Sequence, residues 1–442
     1  MEVTKFETNY KRNLFFNKSI IKPKKYQEKL ENQIINIYPE ITYQTILGFG
    51  GAFTESTGYA IKQLSNELQE KIIKDYFSTD GLNYSLGRLP IGSSDFSLKS
   101  YSYSNKEDLS DFTIDKDKEY IISIIKSAQK INPNILFLSS PWSPPKFMKS
   151  NKMLTLGGKL IDKYKQTWAN YFAKYIKEYK KQEIDIKYVT IQNEPNAIQL
   201  WESCLYSPEE EIDFAINYLY PTFKSNKINT KILIWDHNKE KLFTRAKKEL
   251  NTNKALEAIS GIAYHYYSGD HFENIQLTHD SFPGKLLIHT EGCTGYSKFN
   301  PNDEVHNGEI YGHDILGDLN SGANAYIDWN LVLDNKGGPN HKLNYCNSPI
   351  MINSNKTNYI KNLTYYYIGH FSKFIMPGSK RIGFSRYSTD IEVTSFKNPD
   401  NSIAIVLMNR NSFNKEYTIC LNDISIHDNL DSHAIVSYII KN

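Results

Sequence analysis

Two stretches of this chain deliver a glutamate directly after an apolar run. Residues 187–191 lead into Gln192-Asn193-Glu194-Pro195, and residues 285–289 lead into Thr290-Glu291-Gly292. Two carboxyl groups facing one cleft are the equipment of glycoside hydrolysis. One must carry a proton to give to the leaving oxygen. The other must be ionised, to attack the anomeric carbon or to activate a water. Asn193 precedes Glu194 and is placed to hydrogen-bond a sugar 2-hydroxyl, a contact that strengthens in the transition state. Arg88 ends another apolar run, and a guanidinium beside a carboxylate keeps it charged. We therefore assign Glu291, beside Arg88, as the nucleophile and Glu194 as the acid/base. The assignment predicts that the charge of Glu291 raises the pKa of Glu194, the opposite pair of shifts that two-carboxylate chemistry needs.

The ends of the other apolar runs are polar or aromatic as well. Asp95 follows Gly92-Ser93-Ser94, Trp142 follows Ser140-Pro141, and Asp236-His237-Asn238 follows residues 231–235. His265-Tyr266-Tyr267 and Asp328-Trp329-Asn330 complete the set. The expected substrate-binding residues are Arg88, Asp95, Trp142, Asn193, Asp236, His265, Tyr267 and Trp329. Several of the residues also have a plainer reading. A glutamate after a strand is often a solvated loop residue or a cap partner, and Asp95 can cap a turn. Asp236 serves equally as a loop turn, His265 as a satisfied structural histidine, and Trp142 and Trp329 as core. Cys293, two residues beyond Glu291, reads as a packed thiol.

These residues need a frame that gathers them. Candidate strands at 46–50, 84–88, 135–139, 187–191, 231–235, 261–265, 285–289 and 323–329 alternate with stretches of helical period. Ile61, Leu64, Leu68, Ile72 and Tyr76 keep the three-four spacing, as do Tyr164, Trp168, Tyr171, Phe172, Tyr175 and Tyr179. Ser207-Pro208-Glu209-Glu210 reads as a capping box. Eight strand-then-helix units predict an α/β chain forming a (β/α)8 TIM barrel, in which reactive side chains gather at the C-terminal ends of the strands. A doubly wound sheet is disfavoured, because Gly48-x-Gly50-Gly51 is not its glycine fingerprint. Beyond residue 376, short alternating runs at 391–396, 402–409, 417–421 and 434–440 predict antiparallel strands of a β-sandwich. The expected division is N-terminal sandwich strands over 1–44, the barrel over 45–375 and the remaining sandwich over 376–442.

Composition closes off several alternatives. Among 442 residues, 52 Lys and Arg balance 49 Asp and Glu, which argues against a nucleic-acid partner. Tyrosine is abundant at 32, and serves either as core filler with a polar tip or as sugar-stacking surface. Four scattered cysteines form no C-x-x-C pair and the 11 His form no H-E-x-x-H, so no metal and no cofactor is expected. The N-terminal residues carry Lys and Glu where a signal peptide has its apolar run, and no spanning run of about 18 apolar residues occurs. The expectation is a cytoplasmic, bacterial protein. Balanced charge with many aromatics also suggests contact with a membrane surface.

Assembled in order, these motifs resemble glycoside hydrolase family 30, in its glucosylceramidase branch. The resemblance runs from about residue 46 to 440 and rests on stretches 48–54, 93–97, 140–145, 193–195, 290–293, 328–331, 337–340 and 369–375. It implies a barrel fused to a sandwich built from both chain ends, and a retaining mechanism on β-glycosides. Glu194 matches the acid/base and Glu291 the nucleophile. Asp95, Trp142, Asn193 and Trp329 match glucose-binding positions, while Tyr267 and Arg88 match residues near the nucleophile. Loops 146–159 and 199–204 depart from the pattern, and Tyr266 stands where the branch has Trp; such loops shape the aglycone side. The expected substrate is a terminal β-D-glucoside or glycolipid, glucosylceramide foremost. A soluble β-glucosidase, β-xylosidase or β-1,6-glucanase is the alternative within the family. A non-catalytic glycan-binding protein is the alternative outside it.

Overall fold

The computed structural model describes residues 2–26, 33–294 and 303–441. Eight parallel strands close into a barrel: Gly48–Ala52, Leu86–Ile91, Leu136–Pro141, Ile186–Thr190, Lys231–Asn238, Ile259–His265, Leu286–Glu291 and Ala325–Asn330, here called strands one to eight. All eight predicted strands are present, shifted by a few residues. Gly50 belongs to the closure of strand one on strand two, since a Cβ there would stand 2.0 Å from the carbonyl oxygen of Leu86. No side chain larger than hydrogen fits.

Side chains alternate along a strand, so inward-facing residues stack in layers two positions apart. The lower layer is apolar: Leu86, Leu138, Tyr188, Leu233, Ala263, Ile288 and Ile327 pack together in the barrel interior. Two residues on along the same strands come Arg88, Ser140, Thr190, His265, Thr290 and Trp329. The polar layer is thus the next step of the same period. Outside the strands, a second apolar shell joins them to the helices. Helix Lys165–Lys181 buries Trp168, Tyr171, Phe172, Tyr175 and Tyr179, as its spacing predicts. The capping box forms at Ser207 and Glu210 before helix Pro208–Phe214.

One predicted helix is two. The stripe from Ile61 to Tyr76 is continuous in sequence, yet the chain breaks between helices Glu55–Lys62 and Asn66–Phe77. Ser65 turns extended there and its hydroxyl accepts from Leu68 N, capping the second helix.

The chain ends build a ten-stranded sheet of the sandwich, with Glu2–Asn9, Leu14–Ile21, Lys24–Lys25 and Ile34–Thr45 from one end and six strands from the other. Strand Glu2–Asn9 pairs antiparallel with Ala434–Lys441, which ties the two termini together. Two of the six C-terminal strands, Lys380–Arg386 and Ile424–Leu430, go beyond the predicted runs. His427-Asp428-Asn429 interrupts the alternation of the second. No helix among the described residues is long and apolar enough to cross a membrane.

Candidate active site

The polar layer converges on Arg88. This residue lies inside strand two rather than at its end, as the sequence reading had it, and its guanidinium is completely buried. It ion-pairs Glu291, and its Nη2 donates to Asn193 Oδ1 at 2.8 Å and to Asp236 Oδ2 at 2.9 Å. The rings of Trp142 and Trp329 cover it, 4.8 and 5.5 Å away.

Asp236 reaches the barrel interior through a bulge. The register of strands five and six skips one residue, Ala263 facing Trp235 and Tyr264 facing His237, so Asp236 takes the inward place that strict alternation would give Trp235. Its backbone is left-handed, with φ of 54°. Asp236 accepts from Thr190 Oγ1 at 2.7 Å and Thr290 Oγ1 at 2.6 Å, and faces His265 Nε2 at 3.0 Å. Burial opposes its charge, but Arg88, His265 and Thr290 together hold the carboxyl well below its usual range. It is a fixed anion.

A second bulge sets Glu291. Tyr264 faces His289 and His265 faces Glu291, so one residue, Thr290, is looped out of the pairing between strands six and seven. Thr290 then bonds Asp236 while Glu291 also points at the cavity. Tyr267 donates from its hydroxyl to Glu291 Oε1 at 2.8 Å, and Arg88 holds the other oxygen.

Glu194 follows strand four in a left-handed conformation, with φ of 49°, a strained placement of the kind that functional sites retain. Its amide donates to Asp236 O at 2.9 Å, tying this turn to strand five. Oε1 faces His265 Nδ1 at 3.5 Å, and Oε2 accepts from Gln199 Nε2 at 3.3 Å. The expected rise in the pKa of Glu194 is not found. Burial pushes it up, but the bond from His265, the nearby imidazoles and Gln199 outweigh that and hold it near 2. His265 moves the opposite way. Burial lowers it, while Glu291, Asp236 and Glu194 raise it to about 9.

Asp95 closes the far side, accepting from Asn344 Nδ2 at 3.1 Å and Asn340 Nδ2 at 3.3 Å. Burial, then the charge of Glu291, lifts it to about 7. Trp142 and Trp329 stack at 5.3 Å with planes 21° apart. They are buried and also line the cavity, so the choice between core and rim dissolves.

The cavity thus formed holds about 280 Å³ and brings Asp95, Trp142, Asn193, Glu194, Tyr267, Glu291 and Trp329 together. Arg88, Asp236 and His265 lie one layer beneath. Gln199 and Trp201 also line the cavity, from the 199–204 loop that the sequence reading placed on the aglycone side, and His237, Asn238, Asn344 and Cys346 line it without having been expected to. Asn344 and Cys346 lie on an irregular loop without periodicity, and the Gly337-Gly338-Pro339-Asn340 stretch before them is the only signal for that loop.

Among the described residues, His289, Asp314 and Asp318 bring donor atoms within 4.8 Å of one another behind strand seven. Lys239 Nζ already pairs with both aspartates there, so the cluster carries its own cation.

Residues 46–375 match the glycosyl hydrolase family 30 TIM-barrel domain, and residues 378–438 the glycosyl hydrolase family 30 beta sandwich domain. The chain is 32% identical to the lysosomal acid glucosylceramidase of Mus musculus, over 92% of this chain and 83% of that protein. SrfJ from Salmonella typhimurium superposes with a TM-score of 0.97 at 32% identity, covering 100% of both chains. A solved endo-β1,6-glucanase superposes with a TM-score of 0.90 at 30% identity, again over 100% of both.

Proposed function

This chain belongs to glycoside hydrolase family 30, and we propose that it is a retaining β-glucosidase acting on glucosylceramide. Glu291 attacks the anomeric carbon while Glu194 protonates the leaving oxygen; Glu194 then takes a proton from the water that releases glucose. Arg88 and Tyr267 each hold one oxygen of Glu291 and so aim the carboxyl group. His265 stands between Glu194, 3.5 Å from its Nδ1, and Asp236, 3.0 Å from its Nε2, placed to exchange a proton with the acid/base. Asp95, Asn193, Trp142 and Trp329 bind the glucose ring, with Asp95 suited to a hexose hydroxyl that a xylose lacks.

The lipid reading is carried by the rim. Loops 151–160 and 198–205 are joined by Leu156 N donating to Gln199 O at 2.8 Å, and His341 reaches Glu202 from the loop that carries Asn344. On these three adjoining loops Ile198, Leu200 and Leu343 are 65%, 71% and 71% exposed, with Met153 and Leu156 beside them. Apolar side chains held in water on three adjoining loops suggest an interaction surface. It suits an acyl chain or bilayer surface, and gives nothing to a polyhydroxylated glucan.

A panel of aryl β-D-glycosides, glucosylceramide in vesicles and a β-1,6-linked glucan tests the proposal. Cleavage of aryl glucoside and glucosylceramide, with little action on the glucan, is expected. Preference for the glucan overturns the lipid reading, and binding without turnover overturns the enzymatic one.

A further inference from the structure

Cys293 and Cys346 take no part in the chemistry above, yet both are unpaired thiols lining the sugar cavity. Cys293 leaves strand seven two residues after Glu291. Cys346 ends the loop that carries Asn340 and Asn344. The two thiols belong to one buried cluster with Phe96, Trp142 and Trp329, and the main chain beside them is joined, Asn347 N donating to Thr294 O at 3.1 Å.

We propose that Cys293 and Cys346 form a modification site, a dithiol that hydrogen peroxide entering the sugar cavity oxidises to a disulfide. One sulfur gives an electron pair to a peroxide oxygen, which yields a sulfenic acid and one water. The second thiol displaces the hydroxyl as a second water, and the S–S bond closes. Two thiols and one peroxide become one disulfide and two waters, two electrons passing from sulfur to oxygen. Burial, the neighbouring thiol and the carboxylates of Asp95 and Glu291 hold the Cys346 thiol well above its usual range. The reaction is therefore slow compared with that of an exposed sensor thiol.

The disulfide has a route to the chemistry. Cys293 Sγ lies 3.5 Å from Tyr267 Oη, the hydroxyl that orients Glu291. Drawing the sulfur towards Cys346 removes that contact and also staples the loop behind Asp95. Hydrolysis is expected to fall several-fold, the worth of one hydrogen bond between neutral groups, and to return with dithiothreitol.

The test treats the full chain with peroxide, alkylates the remaining thiols and maps peptides by mass spectrometry. A linked peptide joining Cys293 to Cys346, two hydrogen atoms lighter than its parts, is expected in the unsubstituted protein and in C204A/C420A, and not in C346A. Absence of that link in folded protein, or linkage through Cys204 or Cys420 instead, overturns the proposal. A link that leaves aryl glucoside hydrolysis undiminished overturns the route through Tyr267. The peptide map reads the same whichever glycoside the enzyme prefers.

Discussion

The floor and the rim of the cavity follow opposite rules. At the floor, Arg88, Asp236, Thr290 and Tyr267 are buried or nearly so, and each spends its polar atoms on another member of the cluster. At the rim, Ile198, Leu200 and Leu343 stand in water with apolar side chains. The floor holds charge in fixed positions before any substrate arrives, which is how a site stabilises developing charge without reorganising. The apolar side chains of the rim contribute only by being covered. Reaction type therefore belongs to the floor, and choice of aglycone to the rim.

That division can be broken most sharply at Glu291. Glu291→Gln should lower turnover by about 10⁴-fold or more, equally on an aryl glucoside and on glucosylceramide. A loss confined to one substrate would join floor and rim into a single specificity device. Glu194→Gln should cost about 10²–10⁴-fold where the leaving group needs a proton. Aryl glucosides with acidic leaving groups should largely escape that loss in the first step, as read by burst kinetics.

The rim is tested by L200S/L343S. Each exposed leucine buries about 1.5–3 kcal/mol of apolar surface when covered. Vesicle-borne glucosylceramide should therefore lose about tenfold or more in kcat/KM, and aryl glucoside nothing. Equal losses on both would move these residues to the floor.

The smallest effect is on stability. His265 has a folded pKa of about 9, above its unfolded value of about 6.5. Between those values the folded state binds more protons, so the contribution is fully present below pH 6.5 and is lost as pH rises through 9. Denaturant midpoints should fall across that window, and His265→Gln should flatten the decline.

Much of this division is legible in the amino-acid order. The two-residue period that buries Leu86 and Ile288 also delivers Arg88 and Thr290 to the layer above, so strand ends point to chemistry. Three things escape that period. Asp236 displaces Trp235 from the inward position through a bulge, which no alternation pattern records. The low pKa of Glu194 depends on His265, a residue remote in sequence that only barrel closure brings within 3.5 Å. Asn344 lies on an irregular loop, and its role follows solely from its bond to Asp95. Local pattern gives the register of a layer, while its electrostatics belong to partners assembled from all round the barrel.

The most direct test of the floor is to trap its intermediate. A 2-deoxy-2-fluoro-β-glucoside with an activated leaving group slows release of the sugar from the enzyme more than its capture. Intact-mass and peptide mapping should then find one fluoroglucosyl group, on Glu291. A label on Glu194, or inactivation without any covalent label, would contradict the assignment of Glu291 as nucleophile and with it the account of the floor.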